Sequence, residues 1–211
     1  CFPLMNRPYA SEKGLCERQT VVNNVETLAY VPLILSYEAE AFKSVGAEGS
    51  AGPKLYSVSG HVNNPGVYEF PMGITVDELI KEAGGVRGQL KAIQIGGTAG
   101  PVYDGNALSM NLDYDAMQAA GGTLGSGAVV VMNSKTNMAG VLDVSMRFFA
   151  EESCGQCFPC RYGTRQLSYM ANKIAAGNGK ERYLQLMRET GEVMNATSFC
   201  PFGQSVSTPL N

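Results

Sequence analysis

Three cysteines recur at every third position in ESCGQCFPCRYG: Cys154, Cys157 and Cys160, with Pro159 directly before the last. Thiols this crowded are poorly placed to pair with one another, and clustered cysteines point instead to metal or redox chemistry. A tetrahedral centre calls for four ligands. The chain must therefore fold back on itself to bring one more. The best candidate is Cys200 in SFCPFG. Two amphipathic stretches lie between Cys160 and Cys200, and a helical hairpin made of them would return Cys200 to where the triplet began. This requirement constrains the last third of the chain more than any other feature.

The spacing also bears on which centre the thiols suit. Two CxxC pairs separated by a helix would suggest zinc. A CxxCxxC triplet with a remote Cys-Pro follows the iron–sulfur pattern instead. The reason is size: a four-iron cube presents separated corners, and one tightly wound loop can reach three of them. A single zinc ion would be crowded by three such thiolates. The spacing favours a [4Fe-4S] cluster, with zinc as the alternative. A cluster with four thiolates is negatively charged, so nearby cations and backbone N–H groups tune its potential. Arg161 and Arg165 are either such cations or surface arginines at a helix start. Gly155 and Gly163 are expected to let backbone amides approach the sulfurs. Cys1 and Cys16 belong to no motif and are expected not to be ligands. His61, the single histidine, follows a strand and precedes a turn, so a structural or surface role is expected for it.

Composition excludes several classes. The chain has 211 residues, 45% of them hydrophobic, which is enough for a packed core and for more than one domain. A net charge of -3 gives no electrostatic reason to expect nucleic acid. No apolar run reaches the roughly 18 residues that suggest a membrane span. The start, CFPLMNRPYA, has no signal-peptide pattern and no initiating Met, so a truncated or processed chain is expected. Clustered cysteines without a secretory signal imply a reducing compartment, hence the cytoplasm or the cytoplasmic face of a membrane complex.

Three zones follow from the pattern, and together they predict an α+β protein. In residues 1–52, TVVNNVETLAYVPLIL predicts a helix N-capped at Asn24, bent or restarted at Pro32, and ending before Gly46. GAEGSAGP, 46–53, is a linker by composition. Residues 53–135 predict a small β-grasp-like domain. Its expected parts are strands at KLYSVSG and VYEF joined by an NNPG turn with positive φ at Gly66, a helix boxed by Thr75 and Glu78 and stopped at Gly84 and Gly85, and later strands at KAIQIGG and GAVVVMN. Residues 136–211 predict a helical bundle. Its apolar stripes are Leu142, Met146 and Phe149; Leu167, Met170, Ala171 and Ile174; and Leu184, Met187, Gly191 and Met194. GGTLGSGA, 121–128, is glycine-rich but is expected to be a turn into a strand, not a nucleotide-binding loop.

ESCGQCFPCRYGT with the remote SFCPFG resembles the iron–sulfur domain of the NADH-binding flavoprotein subunit of respiratory complex I. The same module occurs in NAD(P)-linked hydrogenases and formate dehydrogenases. TVVNNVETLAYVP is similar to the same family, and KLYSVSGHVNNPGVYEFPMG resembles its SLBB β-grasp domain. The resemblance implies that residues 1–52 are the C-terminal part of a flavin-binding domain, 53–135 an SLBB domain and 136–211 a [4Fe-4S] domain. It implies that electrons from NAD(P)H pass through FMN to a cluster held by Cys154, Cys157, Cys160 and Cys200, and on to other iron–sulfur subunits. It implies that Val22, Asn23, Asn24 and Thr27 lie on the flavin side. Asn amides suit that place because they both donate and accept hydrogen bonds. The family's glycine-rich nucleotide site has no counterpart in these residues, so this segment alone is not expected to oxidise NADH. Two other classes stay open: an SLBB ligand- or partner-binding module with a structural metal, and a zinc-stapled scaffold without redox function.

Overall fold

Inward and outward side chains begin to alternate at Pro53. Lys54, Tyr56 and Val58 are buried while Leu55, Ser57 and Ser59 face out, the period of a strand with one covered face. The computed structural model describes residues 8–210, so Cys1 lies outside the described residues. The strands are β1 (Gly46–Ala47), β2 (Ser50–Ala51), β3 (Pro53–Gly60), β4 (Gly66–Pro71), β5 (Leu90–Ile95), β6 (Val102–Tyr103) and β7 (Ala128–Asn133). The α-helices are α1 (Ala10–Lys13), α2 (Val25–Tyr37), α3 (Ala39–Lys43), α4 (Val76–Glu82), α5 (Tyr114–Ala119), α6 (Met138–Glu152), α7 (Phe158–Ala175), α8 (Glu181–Thr197) and α9 (Pro201–Gln204).

Five strands form one sheet in the order β4-β3-β7-β5-β6. The first strand of the unit, β3, lies parallel to the last, β7, from Ser57 opposite Ala128 to Gly60 opposite Val131. The other pairings are antiparallel. A central parallel pair of first and last strands, flanked by hairpins, is the β-grasp arrangement. Its core joins Tyr56, Val58 and Val131 of the sheet to Val76, Leu79 and Ile80 of α4. Thr75 caps α4 as expected: its hydroxyl accepts from the Glu78 N–H while Glu78 returns to the Thr75 N–H. Tyr56 is fully buried; it donates to the Leu112 carbonyl at 3.1 Å, and burial holds its phenol well above the ordinary value.

Four expectations are corrected. α2 runs unbroken through Pro32, and the chain restarts at Glu38, where φ is +68°. The segment around 46–53 is not a bare linker: β1 and β2 pair there as a small hairpin, and Ser50 is buried. Gly66 has no positive φ, because it is already a strand residue paired with Val58; the positive φ, 86°, falls at Gly60 instead. Leu184 does not join the bundle core but is 55% exposed, and Tyr183 and Leu186 pack there in its place. The sequence pattern also passed over β6 and α5, which are too short for periodicity to register. The glycine-rich 121–127 segment leads into β7, as expected of a turn.

The last third is helical. α6 packs along α7, and Met146 and Phe149 of α6 share a core with Leu167, Met170, Met187 and Met194. Phe149 meets Phe202 of α9 with ring centroids 5.3 Å apart. Among the described residues, no helix is long and apolar enough to cross a membrane.

Candidate metal centre

Two turns of chain bring the thiols together. Cys157 is the N-cap of α7, with a proline in the helix's first turn, and Cys160 lies in that turn. Cys200 is the N-cap of α9, again followed by proline. Proline is tolerated at helix starts because the N–H it lacks has no intrahelical partner there. The repeated Cys-and-Pro pattern therefore starts a helix at each arm of the site.

α8 makes the return. Met194 near its end packs against Gly163 in α7, and the chain then enters SFCPFG. Cys157 and Cys160 are buried, whereas Cys154 and Cys200 are exposed. Burial pushes the Cys160 thiol up; the Ser153 hydroxyl, 3.2 Å from its sulfur, pulls the other way, and the nearby thiols of Cys157, Cys200 and Cys154 raise it further. All four cysteines are thus within electrostatic reach of one another's site. Burial also acts upward on Cys157, but the N–H groups of Phe199, Cys160 and Cys157 itself, with the Ser198 hydroxyl, leave it below its ordinary value. The SFCPFG segment lies against the triplet at Gly203, where an added Cβ would stand 2.6 Å from Ser198 Oγ and 3.2 Å from Cys160 Cβ. Among the described residues, no three Cys, His, Asp or Glu side chains stand close enough to hold a single metal ion.

The surroundings fit a thiolate-ligated cluster. The donors are sulfurs, backbone N–H groups point at one of them, and the buried Ser198 hydroxyl oxygen has no partner of its own. Arg161 does not reach for sulfur. Its guanidinium donates to the Gly155 carbonyl at 2.9 Å and lies 5.4 Å from the Tyr162 ring, so it braces the loop between Cys154 and Cys157. Arg165 is exposed. Gly155 takes φ +75°, a value that lets the triplet loop turn tightly. Gly163 serves a different purpose from the one its sequence suggested: it makes room for Met194 rather than for a backbone amide. Cys16 is exposed, on the separate N-terminal segment.

Val22, Asn23, Asn24 and Thr27 are all exposed. Asn24 Oδ1 accepts from the Glu26 N–H at 2.8 Å and so caps α2, and Asn23 Oδ1 accepts from the Asn24 N–H at 2.8 Å. Thr27 lines a cleft with Tyr30, Phe42, Lys54 and Tyr114. His61 lines another, between the sheet and α6. Sequence reasoning missed the serines beside the thiols, although Ser153 adjoins Cys154 and Ser198 lies two residues before Cys200; a short hydroxyl next to a ligand cysteine was the available signal. It also missed Glu26, whose carboxylate binds the Lys54 ammonium and accepts from the Leu55 N–H at 2.8 Å, tying α2 to β3.

Comparison with known proteins agrees with this geometry. Residues 140–211 match the model of the NADH-ubiquinone oxidoreductase-F iron–sulfur binding region, and residues 55–103 match the SLBB domain. The F subunit of the NADH-quinone oxidoreductase of Streptomyces coelicolor is 39% identical over 210 residues, which is 99% of this chain and 47% of that protein. The NADP-reducing hydrogenase subunit HndC of Solidesulfovibrio fructosivorans is 34% identical, over 99% of this chain and 43% of its own length. An air-oxidised NAD+-reducing [NiFe]-hydrogenase crystal structure superposes with a TM-score of 0.88 at 34% identity, covering 99% of this chain and 36% of that one. The chain spans about half the length of the curated relatives it matches. Over nearly its whole length the chain is thus similar to NADH-quinone oxidoreductase F subunits and to a hydrogenase subunit, and it carries an SLBB match followed by a match to an iron–sulfur binding region that supports a [4Fe-4S] cluster.

Proposed function

We propose that Cys154, Cys157, Cys160 and Cys200 hold a [4Fe-4S] cluster, and that this segment carries electrons out of a flavin site in a longer subunit. When bound, the cluster supplies one-electron acceptance and donation. The chain's own residues do the rest. α7 and α9 present two of the thiols from their N-caps, Arg161 holds the triplet loop, and the helical core around Phe149 and Met194 keeps water from the buried pair. The observation that carries this reading is the close approach of Gly203 in SFCPFG to Cys160, which joins the remote arm to the triplet.

On this reading residues 1–52 are the end of the flavin-binding domain, 53–135 the SLBB domain and 136–211 the cluster domain. Val22, Asn23, Asn24 and Thr27 face FMN, which is reduced by NAD(P)H bound elsewhere in the subunit. The partners are other iron–sulfur subunits of a complex I-, hydrogenase- or formate dehydrogenase-type assembly on the cytoplasmic side. Iron, sulfide and zinc analysis of anaerobically purified protein tests the centre. Expected are about four irons and four sulfides per chain, with a brown colour bleached by dithionite. Stoichiometric zinc without iron would sink the proposal.

A second reading is favoured by one feature of the SLBB domain. A cavity of about 550 Å³ opens between the sheet and α6, with walls that include Val131, Val141 and Val144 and with His61 and Gln94 at its edge. Its size and apolar lining suit a small ligand. A compound that raises the melting temperature of the wild type but not of Val144→Arg would support this role, and equal shifts in both would argue against this cavity.

A further inference from the structure

One serine hydroxyl lies beside the Cys160 thiol, and a second is buried against the thiol site. Ser153 Oγ lies 3.2 Å from Cys160 Sγ. The same oxygen accepts from the Gly155 N–H at 3.3 Å, which leaves its own proton for the sulfur. Ser198 is 6% exposed, and its hydroxyl oxygen makes no hydrogen bond of acceptable geometry. It stands beside the thiol site instead. Packing holds it there: a Cβ added to Gly203 would be 2.6 Å from Ser198 Oγ and 3.2 Å from Cys160 Cβ, so the hydroxyl is pressed against the thiol site across that glycine. A buried hydroxyl without a partner is unfavourable, and a thiolate sulfur accepts more strongly than a thiol.

We propose that Ser153 and Ser198 are positioning residues that donate hydrogen bonds to sulfurs of the thiol site, Ser153 to that of Cys160, and thereby raise the reduction potential of the bound cluster. This rests on the four-cysteine reading above. A bound cluster would accept one electron, from the reduced flavin of that reading or from dithionite in the test, with no proton taken up and no bond broken. The added negative charge spreads onto the ligand sulfurs. A hydroxyl donor to such a sulfur therefore stabilises the reduced state more than the oxidised one. Neither serine is a ligand, and neither changes the number of irons held.

A redox titration of the anaerobically purified, cluster-loaded full-length chain, followed by electron paramagnetic resonance, tests this. Ser153→Ala and Ser198→Ala should each keep the wild-type iron content and signal but reduce at a more negative potential. At a fixed poise the ratio of reduced to oxidised cluster should fall up to about tenfold, which is ~59 mV for one electron. Ser198→Thr, which keeps the hydroxyl, should stay near the wild type. Fully loaded alanine variants with an unchanged potential would overturn the inference while leaving the cluster reading intact. A wild-type chain without iron would overturn both. If Ser198→Ala does not assemble a cluster, Ser153→Ala decides: a wild-type potential there refutes the inference, and a negative shift supports it.

Discussion

Met194 packs directly over Gly163: a Cβ on Gly163 would stand 2.3 Å from Met194 Sδ and 2.8 Å from its Cγ. This contact is where the end of α8 meets the start of α7. It lets the helices approach closely enough for the chain to deliver Cys200 beside Cys157 and Cys160. Met194 is 1% exposed, so its side chain has little room to retreat.

Gly163→Ala should therefore have a sign that depends on its neighbour. Alanine gains about 1 kcal/mol of helix propensity, but overpacking a filled site costs about 1–3 kcal/mol. A net loss of about 1 kcal/mol is expected in the wild type. In a Met194→Ala background the clash is gone, and the same substitution should stabilise. Urea unfolding of the four proteins in the cycle measures this, and the same sign in both backgrounds would refute the contact's role.

Cys200→Ser should reduce the iron content from about four to about three or fewer per chain. Cys16→Ser should leave it unchanged, because Cys16 lies on the exposed N-terminal segment. Iron analysis of the two variants purified side by side is sufficient. Equal losses from both would mean the ligand set is wrong.

Glu26→Ala should loosen α2 from the sheet. The Lys54 side chain is only 8% exposed, and removal of Glu26 leaves its ammonium without its partner. Breaking such a pair from one side costs about 3 kcal/mol. Removing both charges with Glu26→Ala and Lys54→Met should restore much of the loss, since no buried charge is then stranded. Thermal unfolding of the single and double variants checks the expected recovery.

Thr75→Ala should cost about 1 kcal/mol through loss of the cap on α4. The effect should also depend on pH. The Thr75 side chain and N–H are the main causes that hold the Glu78 carboxyl below its ordinary value of 4.5. A lowered folded value means that the contribution is complete above the unfolded value and is lost as pH falls through the folded one. The difference between wild type and Thr75→Ala should accordingly be larger at neutral pH than in acid below the carboxylate range. A difference that grows on acidification would contradict this sign.

Legibility in the sequence followed the length of the pattern behind each element. α4 was marked at both ends by residues that act locally, Thr75 with Glu78 through their side chains and Gly84 through its positive φ, and it formed as expected. α6, α7 and α8 repeat an apolar stripe over several turns, and Leu167, Met170 and Ala171 are buried as their spacing required. Leu184 shows the limit of that reading, because periodicity identifies a face but not which residue at its margin has a neighbour to meet. β1, β2 and β6 have two residues each, too few for any period to be visible.

The chain's own residues determined the local events: the capping box at Thr75 and the helix starts at Cys157 and Cys200. The capping box and the helix starts depend on neighbours within a few positions, so they are written in the order of the amino acids. Tertiary structure alone decided which distant groups meet. β3 lies parallel to β7, Glu26 reaches Lys54, Met194 fills the space left by Gly163, and Ser198 and Gly203 arrive beside Cys160. Such contacts arise from packing apolar faces to high density, which selects one arrangement among many that local preferences permit.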